Sequence, residues 1–261
     1  MGKRPKRKIV LFLVEGKSDR EALQLAIPEL YDRVDEEIEV FFPIIRLEDE
    51  ERGGDITSTY YYDRQGKKQW IHPKNIEDAI YMLFLADFFD KEKIMPKDIS
   101  EIVQIVDTDG AFIPEEGVQA FSTTSEKGTI EYSDKCIKCT TPGNIIKRNR
   151  QKSENLRFLS TKTSIKVKQK SVPFSIYYFS CNLDHFLNHT ANLEYQSKRS
   201  LADAYARNYI GNVEEFVNDI CQDPDATQNM TYKESWDYIK EDYNSLRRHT
   251  NLNLLLSSLS I

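Results

Sequence analysis

Ile9 to Val14 is an unbroken apolar run, the pattern of a strand covered on both faces. Gly16 ends it. Ser18-Asp19-Arg20-Glu21 then has the form of a capping box, and Ala22, Leu23, Leu25, Ala26 and Leu30 give the following helix an apolar face. Ile38 to Ile45 predicts a second strand. Residues 46–72 read as an inserted loop or hairpin, with Gly53-Gly54, three tyrosines at 60 to 62 and a turn from Asp63 to Gly66. Asn75 to Lys91 predicts an apolar helix. Glu101 to Val106 predicts a third strand, which stops at Asp107-Thr108-Asp109-Gly110. The stretch from Ser122 to Cys139 is polar and reads as irregular. A basic helix over Asn144 to Leu159 and a strand over Pro173 to Ser180 follow. From Asn182 the pattern is helical, ending in the segment Trp236 to Ser260. Strands alternating with helices predict an α/β fold: a mostly parallel, Rossmann-like sheet with helices on both faces and a helical C-terminal region.

Composition changes this picture little and charge changes it more. The 261 residues are 39% hydrophobic and carry 36 basic against 42 acidic side chains, a net charge of −6. That balance alone argues against a nucleic-acid partner, but its distribution argues the other way. Lys3, Arg4, Lys6, Arg7 and Lys8 crowd the start. Lys147, Arg148, Arg150, Lys152, Arg157, Lys162, Lys166, Lys168 and Lys170 follow one another with only Glu154 among them. A basic segment on an acidic protein gives a local phosphate-binding surface, or else a solvated charged helix. Ala79 to Phe89 is interrupted by Asp87 and too short to cross a bilayer. The basic start leads into too short an apolar run for a secretory signal, and four scattered cysteines do not make a disulfide framework. A cytoplasmic protein with no membrane partner is expected.

The candidate chemistry lies at strand ends. Glu15 and Asp107 each follow a buried strand, where open α/β sheets build their sites. Neighbouring parallel strands would bring Glu15, Asp107 and Asp109 together, and alternation along an extended chain would put the two aspartates on the same side. Three adjacent carboxylates repel one another and call for a hard cation, Mg²⁺ or Mn²⁺.

These residues resemble a known family. Leu13-Val14-Glu15-Gly16-Lys17-Ser18-Asp19 is similar to the first motif of TOPRIM domains, and Ile105-Val106-Asp107-Thr108-Asp109-Gly110 to the second. The resemblance covers residues 8–190, with the insertion at 46–72 lengthening the interval between the motifs. Residues 191–261 are expected to be a helical region packed on that domain. It implies a divalent metal held by Glu15, Asp107 and Asp109, with the glutamate also acting in proton transfer. Ser180-Cys181-Asn182-Leu183-Asp184 stands where some relatives carry a further acidic motif, making Asp184 a candidate extra metal ligand. Neither a topoisomerase tyrosine domain nor a primase zinc module is recognisable. The nearest likeness is to compact nucleases, including those of bacterial antiphage and abortive-infection systems.

The function expected is therefore metal-dependent hydrolysis of DNA or RNA, with Lys17, Lys147, Arg148, Arg150 and Lys152 holding the nucleic-acid backbone. An ATPase sensor partner would fit a defence effector, since this chain has no ATPase motif of its own. The alternative is a non-cleaving module that binds nucleic acid or a protein partner. Gly16-Lys17-Ser18 resembles the end of a P-loop, but Leu11 stands where its first glycine is needed. Cys136 and Cys139, with Cys181 and His185, read as half-sites for zinc or as free thiols. The tyrosines 60 to 62 and Trp70 read either as a stacking surface for unpaired bases or as hairpin packing. The apolar run from Leu252 to Ile261 is a core helix or a homo-oligomer contact.

Overall fold

In the computed structural model, which describes residues 6–47, 50–51, 53–63, 65–122 and 129–259, the strand-and-helix alternation is laid out as follows. Strand β1 (Lys8–Leu13) turns at Gly16 into helices α1 (Lys17–Leu23) and α2 (Ala26–Val34), and the chain returns as β2 (Ile38–Phe41). The insertion forms two short antiparallel pairs, β3 (Arg46–Leu47) with β4 (Glu50–Glu51), and β5 (Tyr60–Tyr62) with β6 (Lys68–Trp70). Helix α3 (Ile76–Ile80) passes through a π-helical turn, Tyr81–Leu85, into α4 (Ala86–Glu92), and β7 (Ile99–Asp107) follows. A small sheet of β8 (Val118–Ala120), β9 (Ile130–Ser133) and β10 (Cys136–Cys139) precedes the long helix α5 (Pro142–Leu159). The hairpin of β11 (Ser164–Val167) and β12 (Lys170–Phe179) completes the main sheet. Helices α6 (Leu183–Asn188), α7 (Tyr195–Asn208), α8 (Val213–Cys221), α9 (Tyr232–Ile239) and α10 (Leu252–Leu259) come last.

The five-stranded sheet has the order β11-β12-β7-β1-β2 and is parallel except at β11. It is an α/β architecture compatible with a Rossmann-like fold. Alternation along β1 divides the core in two. Ile9, Leu11 and Leu13 pack with α3, α4 and the inner side of α5, while Val10, Phe12 and Val14 pack with α1, α2, α8 and α10. The central strands carry apolar residues on both faces because both faces are covered. The C-terminal helices share this second core: Val213, Phe216 and Leu252 are completely buried within it.

Several expected boundaries move. The second strand stops at Phe41, and Pro43 lies in the irregular stretch beyond it. The first helix begins at Lys17, with the Asp19 carboxylate accepting from the Gly16 amide at 2.6 Å, so the capping interaction sits two residues earlier than Ser18 suggests. The stretch expected to be irregular contains β9 and β10, joined by a two-residue turn. The segment from Trp236 carries the end of α9 and all of α10. Residues 240–251 leave α9 and bring the Ser245 carbonyl to the end of β7, where it accepts from Thr108 Oγ1 at 2.7 Å and the Gly110 amide at 3.1 Å.

Within that loop His249 is buried, stacked on Tyr178 and hydrogen-bonded to its hydroxyl through Nδ1 at 3.1 Å. Burial holds its pKa down, to about 4. The unfolded ring takes up a proton near pH 6.5 and the folded ring only near 4. The stabilisation from keeping the ring neutral is complete above about 6.5 and is lost as pH falls toward 4, by up to ~3 kcal/mol. Denaturant unfolding of the His249→Asn variant should therefore show a flatter pH dependence between 7 and 4 than the unsubstituted chain. Parallel curves would exclude His249 as a source of acid sensitivity.

Candidate metal centre

Two strand ends and the insertion deliver the acidic groups. Because β1 and β7 are parallel neighbours, Glu15 and Asp107 emerge side by side, and the Asp107 amide donates to Glu15 Oε1 at 3.1 Å. The extended alternation ends there. Asp109 has φ 50° and Gly110 φ 68°, two successive left-handed residues. The turn is pinned by the Asp109 amide on the Cys181 carbonyl at 2.8 Å and by the Ser245 carbonyl on the other side. A Cβ at 110 would lie 2.6 Å from a Leu246 methyl and 2.9 Å from an Ile137 methyl, so both buried side chains would have to shift. The turn sends the two aspartates to different partners, where simple alternation puts them on one side. Asp107 Oδ1 accepts from the Leu183 amide at 2.8 Å, while Asp109 faces α5.

The third carboxylate comes from the insertion. The Gly54 amide donates to the Glu15 carbonyl at 2.6 Å, and a Cβ on Gly53 (φ 68°) would come within 2.7 Å of that same oxygen. This close approach of two backbones requires glycine. It brings Asp55 in, where its carboxylate also accepts from the Thr57 amide at 2.7 Å and from Ser58 Oγ at 2.5 Å. Glu15, Asp55 and Asp109 each offer an oxygen, all within 4.8 Å of one another. Among the described residues this is the group of three or more metal-ligating side chains that forms.

Helix α5 faces them with cations. Lys152 is completely buried, and its Nζ lies 2.6 Å from Asp109, 2.9 Å from Asp55 and 3.4 Å from Glu15. One turn earlier, Arg148 donates to the Asp109 carbonyl at 2.8 Å and to the Tyr132 hydroxyl at 3.1 Å, and that hydroxyl donates to Asp109 Oδ1 at 3.1 Å. Asn149 Nδ2 holds the Gly110 carbonyl at 3.0 Å.

The charges do not balance. Three carboxylates share the Lys152 ammonium, and Asp107 stands beside them. Glu15 is pushed well above the usual carboxylate range by burial and by Asp55, Asp107 and Asp109, against the pull of Lys152. Asp107 is also raised well above it, by burial, Asp19 and Asp109. At Asp109 burial acts upward too, but Lys152 and Arg148 hold it down to about 2. Lys152 is raised despite its burial because Asp109, Asp55 and Glu15 surround it. Negative charge is thus in surplus at Glu15, to be met by a proton or by a further cation. Oxygen-only donors at this spacing suit Mg²⁺ or Mn²⁺, and in chemistry and charge the residues fit such an ion.

Set against models of known families, curated proteins and solved structures, the chain shows no match.

Of the expected ligands, Glu15 and Asp109 meet. Asp107 stands beside them but outside the group of three. Asp184 is also outside that group: it is buried and paired at 2.7 Å with Lys198, an ammonium that acts on Asp107 and Asp19 as well. Asp55 escapes the sequence motifs, and its one signal is the Gly53-Gly54 pair ahead of it in a chain of only ten glycines. Among the basic residues, Lys17 and Lys147 are exposed, and Arg150 is exposed but paired with Glu115 through Nε at 2.7 Å. Arg148 is folded onto Asp109. Lys152, expected on the nucleic-acid surface, lies instead among the carboxylates, completely buried where a nucleic-acid backbone cannot reach it, because its position on α5 faces the ends of β1 and β7. Lys3 and Arg4 lie outside the described residues. Cys136 is partly exposed, while Cys139 is buried with its thiol toward the Gln119 carbonyl. They join no group of three ligands among the described residues.

Removing one partner of a buried ion pair costs about 3–5 kcal/mol because the other is stranded. Lys152→Met should lower the thermal midpoint markedly in EDTA, and millimolar Mg²⁺ should restore part of the loss. A midpoint unchanged by the substitution would show that the carboxylates do not depend on that ammonium.

Proposed function

We propose that this chain is a divalent-metal-dependent nuclease of the TOPRIM type, hydrolysing phosphodiester bonds in DNA or RNA. The observation that carries the reading is the convergence of Glu15, Asp55 and Asp109, from three separate segments, on one point with more negative charge than Lys152 neutralises. The two strand-end motifs and the exposed Lys17 and Lys147 nearby in sequence support it. A bound Mg²⁺ or Mn²⁺ would supply charge neutralisation at the scissile phosphate and a more acidic water. Glu15, Asp55 and Asp109 would hold it. Lys152 would keep Asp109 ionised and aimed, and Arg148 and Tyr132 would fix the turn that presents it. Asp107, whose carboxyl is raised above the usual range by burial and by Asp19, would stand beside the ion as a group suited to exchanging a proton. A role as a defence effector, regulated by an ATPase partner, extends this reading through the resemblance alone.

One observation favours a second reading. The Lys152 ammonium already contacts all three carboxylates, as it would in a metal-free scaffold that binds nucleic acid or a protein without cutting.

Incubation of the purified chain with plasmid, single-stranded DNA and tRNA, in Mg²⁺, Mn²⁺ or EDTA, separates the two. The nuclease reading expects metal-dependent cleavage that drops at least ~10²-fold in Glu15→Gln, Asp55→Asn and Asp109→Asn, with folding retained. Cleavage that survives all three substitutions, or that proceeds in EDTA, would refute it. No cleavage under any condition favours the scaffold.

A further inference from the structure

The β5–β6 hairpin carries an unusual surface. Tyr61 points inward and is buried, so by alternation Tyr60 and Tyr62 point out, and Trp70 stands directly across from Tyr60. These three rings are 36%, 55% and 49% exposed, and they make up three of the seven exposed large hydrophobic side chains among the described residues. They form one cluster, with Tyr60 edge-on to Tyr62 at 5.8 Å and to Trp70 at 5.5 Å. Cations border it. Lys68 Nζ lies 3.6 Å from the centre of the Tyr60 ring, and Lys147 Nζ lies 5.0 Å from that of Trp70.

A two-stranded hairpin is marginal by itself, and this one is clamped. Gln151 Nε2 donates to the carbonyls of Thr59 and Ile71, which flank the hairpin, at 2.7 and 2.9 Å. Lys147 and Gln151 are one turn apart on α5, and the next residues along are Arg148, which holds the Asp109 turn, and Lys152, which holds the carboxylates. The aromatic cluster and the acidic site are therefore attached to adjacent faces of the same helical turns.

We propose that this hairpin is a binding platform for single-stranded nucleic acid, its rings stacking on unpaired bases while Lys68 and Lys147 meet the backbone. Bases have π-faces to offer only when they are outside a duplex, so the platform selects unpaired strands. Tyrosine and tryptophan are also common at protein interfaces, but lysine is depleted from such interfaces, and here two lysines lie against the rings. The platform deepens the nuclease reading by naming its substrate as single-stranded, and its test can be separated from that reading.

Trp70 is half exposed and Trp236 is 2% exposed, so the long-wavelength tryptophan emission reports on Trp70. In EDTA, oligothymidylate should quench that emission, and a duplex of the same length should leave it nearly unchanged. Tyr60→Ala and Trp70→Ala should each weaken binding of labelled oligothymidylate about tenfold by anisotropy, as loss of one stacking contact implies. The emission of Trp236 checks that Trp70→Ala is folded. Equal binding of single strands and duplex, or single-strand affinity unaffected by both substitutions, overturns the platform even if metal-dependent cleavage is present. Single-strand binding that depends on both rings upholds it even if no cleavage is found.

Discussion

The Lys152 ammonium is the interaction on which the rest of this molecule depends. A fully buried charge is tolerable only when it is paired and hydrogen-bonded. Its partners come from the end of β1, from the insertion and from the turn after β7. Each carboxylate is in turn a liability without it. The helix that delivers the ammonium also caps the Asp109 turn through Arg148 and Asn149 and clamps the insertion through Gln151 and Asn155. Helix α5 thus converts three distant stretches of chain into one rigid locus. Its polar residues are buried because they serve different neighbours at successive positions.

The same arrangement explains why a cation beyond lysine suits the site. An ammonium is one charge with three donors, and it spreads them over three acids while Asp107 stands alongside. Asp109 takes the largest share and stays ionised, whereas Glu15 receives the longest contact and is raised. Of the three acids, Glu15 is therefore the one whose charge the ammonium compensates least. The sheet contributes rigidity. Parallel pairing of β1 with β7 fixes Glu15 against the Asp107 amide to within a hydrogen-bond length.

Much of the α/β framework was legible in the chain itself, since buried strands write long apolar runs and capped helices write polar starts. The apolar stretch before Glu15 and the one before Asp107 became the two central strands, and Asn144 to Leu159 became most of α5. What could not be read follows from contacts between distant residues. Asp55 has no local signature, because its role comes from Gly53 and Gly54 lying against the Glu15 backbone. The divergence of Asp107 and Asp109 comes from a left-handed residue held by Cys181 and Ser245, well over a hundred residues away for Ser245. Lys152 looks, in sequence, like any other lysine in a basic helix. Only the packing of α5 over the strand ends distinguishes it from Lys147.

Insertions between core elements are ordinarily where length varies freely, because surface loops bear little on the structure beneath them. The segment around Gly53 reverses that expectation over part of its length. Its backbone abuts the carbonyl of Glu15, so lengthening or shortening it by one residue would displace an acid from the site. A few residues further on, the turn from Asp63 to Lys67 closes the hairpin with local hydrogen bonds, Asp63 Oδ1 accepting from the Gln65 and Lys67 amides. Among relatives of this chain, variation in length should accordingly collect at the hairpin tip and be nearly absent between Gly53 and Asp55. That contrast divides the insertion into a constant root and a changeable crown.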